Sequence, residues 1–138
     1  MSTARKPSSR DTALEGRFGA PMAELYDQVV RPGAPPALHR ALELRSFLTL
    51  AEEQVVRVRD RVRESMAPDG DLDRLSADVL QTDVHWMKAA LDARGGYQRA
   101  LDSLLASMPP PAARPAPAVT SVLPPALPAA KAAAAQGR

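Results

Sequence analysis

The fold is decided by PALHRALELRSFLTLAEEQVVRVRDRVRESM, residues 36–66. This stretch holds no glycine, and its one proline is the first residue, Pro36, a position that helices tolerate well. Its apolar residues recur at alternating spacings of three and four, the pattern of a helix that buries one face. They are Ala41, Leu44, Leu48, Ala51, Val55, Val58 and Val62. We therefore predict a helix over residues 36–66, about 45 Å long at 1.5 Å per residue.

The next residues, APDGD at 67–71, predict a tight turn, because proline fixes φ, aspartate favours turns and glycine accepts positive φ. A second helix is predicted over residues 72–108, LDRLSADVLQTDVHWMKAALDARGGYQRALDSLLASM, which carries two neighbouring apolar rows. Gly95 and Gly96 each cost about 1 kcal/mol relative to alanine, so we expect a bend or weak point there. Two long helices joined by so short a turn predict an antiparallel hairpin over residues 34–108.

The two ends of the chain read differently from this hairpin. Residues 1–20 are polar, rich in Ser and Thr and without periodicity, which predicts a disordered N-terminus. Residues 21–31 show helical spacing and predict a short helix. Residues 109–138 form a tail rich in proline and alanine, predicted to be extended or disordered. The predicted fold class is all-α: a long helical hairpin with a short N-terminal helix and disordered ends.

Composition excludes several kinds of chemistry. The chain has no cysteine, which excludes disulfides, thiolate catalysis and Cys-ligated zinc. His39 and His85 have no third ligand at metal-binding spacing, and no phosphate-binding or nucleophile motif is present. No apolar run is long enough to span a membrane. We therefore predict a protein that is not an enzyme and has no cofactor, metal site or small-molecule substrate.

The apolar face of the second helix is wider than one partner helix covers. A two-helix hairpin rich in alanine is also marginal as an isolated fold. We therefore expect helix-to-helix association with another copy or another protein. The residues predicted to form this self-association surface are Leu80, Val84, Trp86, Met87, Leu91, Tyr97, Leu101, Leu104 and Leu105.

Residues 72–107 resemble the C-terminal segment of type III secretion inner rod proteins and, more distantly, the needle subunits. The resemblance rests on the apolar position at Leu80, the aromatic patch near Trp86, the small-residue stretch 89–96 and the ending ALDSLLAS, residues 100–107. It implies a structural subunit of the secretion apparatus, in the bacterial cell envelope or exported by a route independent of a signal peptide. It also implies that Leu101, Leu104 and Leu105 pack subunits together. The 31 residues after Ser107 depart from the family pattern.

Two other functions stay open from the sequence. One is a cytoplasmic adaptor or chaperone-like hairpin that covers an apolar surface of a partner protein. The other is a nucleic-acid accessory protein that uses the arginines at 57, 59, 61 and 63. These arginines alternate along the helix and therefore spread over both of its faces, and the net charge is only +2. We therefore predict no nucleic-acid partner.

Overall fold

The computed structural model describes residues 2–111, which form four α-helices and two short 3₁₀ turns with no β-strand in that range. The helices are α1 (Asp11–Phe18), α2 (Met22–Val29), α3 (Pro36–Ser65) and α4 (Ala77–Ser107). The prediction of an all-α fold built on a long helical hairpin is confirmed.

Helices α3 and α4 pack against each other along their lengths. The seam predicted from residues 36–66 faces α4: Ala41, Leu48 and Val58 are all buried. Near the far end of the hairpin, Arg61 donates two hydrogen bonds to the buried carboxylate of Asp83, at 2.7 and 3.0 Å. This ion pair therefore joins the two long helices.

The second long helix begins later than predicted. Residues Leu72–Arg74 form a 3₁₀ turn, and the hydroxyl of Ser76 then accepts a hydrogen bond from the Val79 amide and caps α4. Leu72 is 78% exposed, so no packing holds it in a helix. At the other predicted interruption, α4 runs through Gly95 and Gly96 without a break.

The prediction of a disordered N-terminus is wrong for the described residues before Pro21. Thr3–Arg5 form a 3₁₀ turn and α1 follows over Asp11–Phe18. Leu14 is completely buried in the same core as Leu25, Leu38 and Leu101. Leu14 and Phe18 are the only large apolar residues of α1, too few to give a periodic pattern, so this burial arises from tertiary contact and not from local sequence. The short helix predicted at 21–31 is present as α2.

A buried arginine fastens the N-terminal segment to α3. The guanidinium of Arg45 donates to both carboxylate oxygens of Asp11, at 2.7 and 2.9 Å, and to the carbonyls of Thr3 and Lys6. It also lies over the ring of Tyr26. Burial acts to lower the pKa of Arg45, but the hydrogen bonds with Asp11 and Tyr26 outweigh it and raise the pKa above its usual value. Arg45 therefore stays charged, and its charge is neutralised inside the fold.

Further ion pairs hold the same segment along the base of the hairpin. Arg10 donates two hydrogen bonds of 2.8 Å to the carboxylate of Asp102 in α4. Lys6 donates to Glu53 of α3 at 2.6 Å, and this bond is the main reason that the pKa of Glu53 is lowered. The N-terminal segment therefore bridges both long helices at one end of the hairpin. Residues 112–138 of the predicted tail lie outside the described residues.

Candidate association surface

Helix α4 leaves large apolar side chains in solvent along its middle. Trp86 is 59% exposed, Val84 64% and Leu91 48%. Apolar residues on this scale in the middle of a long helix are normally buried against a neighbour. The width of the α4 face inferred from the sequence is therefore present in the fold, and α3 covers only part of it.

An apolar hollow lies on one side of the hairpin, between α3 and α4. Its rim carries Phe47 and Leu50 from α3 with Trp86 and Tyr97 from α4, and its volume is about 290 Å³. The rings of Phe47 and Tyr97 stack with their centroids 5.6 Å apart. We call this hollow the aromatic groove.

The floor of the aromatic groove is made of alanines. Ala51 comes from α3, and Ala89, Ala90 and Ala93 come from α4. These small side chains bring the two helix backbones close together and leave space between the flanking rings. Gln54 supplies the one side-chain amide in the lining. The groove therefore presents an apolar channel with a single amide.

A second hollow, of about 330 Å³, lies where Val55 and Val56 of α3 meet Leu91 of α4. Arg94 approaches Glu52 at 3.4 Å and limits this hollow on the side of the N-terminal segment. We call this region the valine flank. It is apolar at its centre and charged at one border, in contrast to the uncharged lining of the aromatic groove.

The outward-facing members of the predicted association surface divide between these two regions. Trp86 and Tyr97 line the aromatic groove. Leu91 lines the valine flank, and Val84 lies seven residues before it, on the same side of the helix. Leu80 and Met87 are half-buried. The sequence predicts one continuous surface, whereas the fold presents two that face different directions.

The remaining predicted residues do not form an open surface. Leu101 is completely buried, and Leu104 and Leu105 pack partly buried against the same core. Arg17 of α1 donates hydrogen bonds to the Leu105 and Met108 carbonyls, at 2.6 and 2.7 Å. Because α1 packs on that end of α4, Leu101 is inaccessible to another subunit in this fold, and Leu104 and Leu105 are only partly accessible.

The helix α3 contributes residues that the sequence analysis does not include in the surface. Phe47 is 43% exposed and Leu50 45% exposed, and both border the aromatic groove. Both lie beside the predicted seam of α3. The signal was available in the sequence, because an apolar row next to a filled seam must be covered by something other than the hairpin partner.

The lining of the aromatic groove is mostly apolar and carries no charged side chain. Among residues 2–111, no group of three His, Asp or Glu side chains is placed to hold a metal ion. No helix in the same range is long and apolar enough to cross a membrane. No protein-family model, curated protein or solved structure matches the chain.

Proposed function

We propose that this protein is a non-enzymatic structural subunit that associates with other copies of itself through the aromatic groove. The observation that carries the proposal is the exposure of Trp86 beside an apolar groove that is already formed in the single chain. Burying an exposed aromatic side chain at an interface is among the largest single contributions that a helical surface makes to association.

The shape of the groove favours a helix as its occupant. Two packed helices with an alanine floor form a shallow channel into which the side chains of a third helix insert. The uncharged lining imposes no cost of burying an unpaired charge. A small polar substrate finds there the Gln54 amide, the Tyr97 hydroxyl and the Trp86 indole N–H, but no charged side chain.

The α4 helix is complementary to itself in side-chain size. Trp86, Ala89, Ala93 and Gly96 follow each other at spacings of three, four and three, so they lie along one side of the helix. In an antiparallel pair that crosses midway between Ala89 and Ala93, Trp86 of one copy lies opposite Gly96 of the other. The large side chain of Trp86 then packs against Gly96, which has no side chain. Two-fold symmetry repeats this contact, so it forms two times in each pair.

Gly96 supports this arrangement independently. A Cβ atom added at Gly96 meets nothing within 4 Å, and its φ is not positive. The single chain therefore gives no reason for glycine in the middle of a 31-residue helix, where it costs roughly 1 kcal/mol. Close approach of a second helix is such a reason.

The test compares two exposed apolar positions. We expect the mass of the 138-residue chain to rise with concentration in light scattering coupled to gel filtration. Trp86→Glu should weaken this association by about 30-fold or more, the size expected for a central aromatic anchor. Val30→Glu is the matched control, because Val30 is 80% exposed but lies just after α2, outside the groove.

A monomer mass at every concentration would contradict self-association. Equal losses in Trp86→Glu and Val30→Glu would contradict the placement of the interface in the groove. Circular dichroism of each variant checks that its helices are intact. Leu104→Asp and Leu105→Asp are unsuitable here, because both leucines pack against the core and their loss would perturb the fold itself.

A second candidate function is an adaptor that covers an apolar surface of a different protein. The observation that favours it is the valine flank, where Leu91 and Val56 remain exposed after the aromatic groove is filled by a copy. Leu91→Glu separates the two proposals. It should leave self-association unchanged if copies use the groove, and it should abolish capture of a different partner if that partner uses the flank.

The inner-rod resemblance supplies a more specific setting for the first proposal: a secretion-apparatus component located at the cell envelope. In that setting the subunit contacts would run through the middle of α4 and not through Leu101, which is completely buried. In such a component, residues 1–20 would act as the export signal. The test compares export by a type III apparatus of the full chain and of a chain that lacks residues 1–20. Export that is unaffected by their removal would contradict this setting.

A further inference from the structure

The aromatic groove also fits a second kind of occupant, an extended proline-rich segment. Proline-rich segments bind to grooves lined by aromatic rings, because their polyproline II conformation is formed before binding and little conformational freedom is lost. Phe47, Trp86 and Tyr97 supply the rings. Gln54 supplies one amide within the lining, a group able to hydrogen-bond the exposed backbone of an extended segment.

The chain carries a segment of this composition beyond the described residues. Residues 119–127 read VTSVLPPAL, and residues 115–130 contain no charged side chain. We propose that residues 119–127 bind the aromatic groove of their own chain and compete there with a second copy. The binding stands by itself, whereas the competition rests on the proposed self-association.

The length of the chain allows this contact. Pro111 lines a hollow with Gly16 and Ala106, so it lies beside the last turn of α4. Along the helix, Tyr97 is about 14 Å from Ala106 and Trp86 about 30 Å, at 1.5 Å per residue. Residues 112–118 span about 22 Å in polyproline II geometry and residues 119–127 about 28 Å more. The segment therefore reaches Tyr97 with length to spare and extends past Trp86.

We expect the contact between residues 119–127 and the groove to weaken self-association without preventing it. A short linker holds the segment near the groove at an effective concentration in the millimolar range. A short apolar segment with millimolar intrinsic affinity then occupies the groove for about half of the time. Because the two-fold pair needs a free groove in both copies, occupancy at that level weakens association by about fourfold, and tighter binding of the segment weakens it further.

Trp86 makes the test direct, because it is the single tryptophan in the chain and lies on the groove. The first variant is the 138-residue chain with Val122→Asp, Leu123→Asp and Leu127→Asp. The matched control carries the same three charges just beyond the segment, as Ala132→Asp, Ala133→Asp and Ala134→Asp. Iodide quenching of Trp86 is measured at a concentration where light scattering reports only monomer.

We expect the first variant to raise the quenching constant of Trp86 at least about twofold over wild type and to shift its emission to longer wavelength. The control should match wild type. Adding a peptide of residues 119–127 to the first variant should reverse both changes. Equal quenching in wild type and in both variants would overturn the proposal, as would equal changes in the two variants.

Light scattering of the same proteins separates this inference from the proposed function. If the first variant associates more tightly than wild type by about fourfold or more, the competition is supported. If all three chains associate equally while quenching is also equal, the inference fails and self-association stands. If the first variant stays monomeric at every concentration although its Trp86 has become accessible, the segment contact stands and self-association is overturned.

Discussion

Replacement of Arg45 by methionine tests the way in which the N-terminal segment is held. The change removes a guanidinium that is 1% exposed. The Asp11 carboxylate then keeps only the Ser8 amide as a donor and the Thr3 carbonyl only the Lys6 amide, while the Lys6 carbonyl loses the donor that Arg45 supplies. Removing one partner of a buried ion pair costs about 3–5 kcal/mol. Since the Asp11 side chain keeps 22% of its surface exposed, water offsets part of this loss. We expect the lower end, about 3 kcal/mol.

The matched control is Arg40→Met on the same helix. Arg40 pairs with Glu43 at 2.6 Å, but both side chains are more than half exposed, at 57% and 53%. Exposed pairs of this kind contribute about 0–1 kcal/mol. The free energy of unfolding is measured by urea denaturation followed by far-UV circular dichroism. The double variant Asp11→Asn with Arg45→Met should be less destabilised than the sum of the two single variants, because they share one interaction.

A loss within about 1 kcal/mol of that in Arg40→Met would refute the reasoning, since it would mean that Arg45 behaves as a surface residue. Strict additivity of the two single variants would refute it as well. Either result would mean that Arg45 is not the main contact that holds the 3₁₀ turn at Thr3–Arg5 and helix α1 against α3. Hydrogen exchange of the Leu14 amide provides a second measurement, and this amide should lose protection in Arg45→Met.

Three further predictions concern single positions. Leu101 is completely buried and Val84 is 64% exposed. Leu101→Ala should therefore lower the free energy of unfolding by about 2–5 kcal/mol, whereas Val84→Ala should change it by under about 0.5 kcal/mol. Equal losses for the two variants in urea denaturation would contradict this prediction. Gly96→Ala should raise the stability of the monomer by about 0.5–1 kcal/mol, because the added methyl group meets open space; thermal unfolding that shows a loss would contradict this. The pKa of Glu53 is lowered by Lys6, so its contribution is complete above the unfolded pKa of about 4.3 and is lost as the pH falls through the lower folded value. Glu53→Gln should therefore flatten the decrease in stability between about pH 5 and 3, and an unchanged profile would contradict the assigned cause.

Most of the hairpin was predictable because its elements are determined locally. The apolar spacing in residues 36–66 needs a helix to place Ala41, Leu48 and Val58 on one side, and all three are buried. The turn residues at 67–71 can end one helix and start a reversal without help from distant residues. The first residues of the second helix were less certain, since nothing packs on Leu72, and a 3₁₀ turn forms there instead.

The association surface was predictable in kind but not in position. The sequence indicates that α4 carries more apolar surface than one helix can cover, and the exposure of Trp86 and Val84 agrees with that. It does not indicate which part of α4 is covered by other segments. Leu104 belongs to the same apolar row as Trp86, and Leu101 to the same row as Val84. Periodicity alone cannot separate a residue facing the core from one facing a partner.

By itself, the amino-acid sequence determined the helices, the reversal between them and the excess of apolar surface on α4, because each of these depends on residues close together in the chain. Tertiary structure decided the fate of the N-terminal segment. Its ordering depends on Arg45 meeting Asp11 across 34 positions and on Arg10 meeting Asp102 across 92. Contacts between residues so distant leave no periodic trace in a sequence. By packing one end of α4 against the core, they leave the aromatic groove and the valine flank as open apolar surfaces of the hairpin.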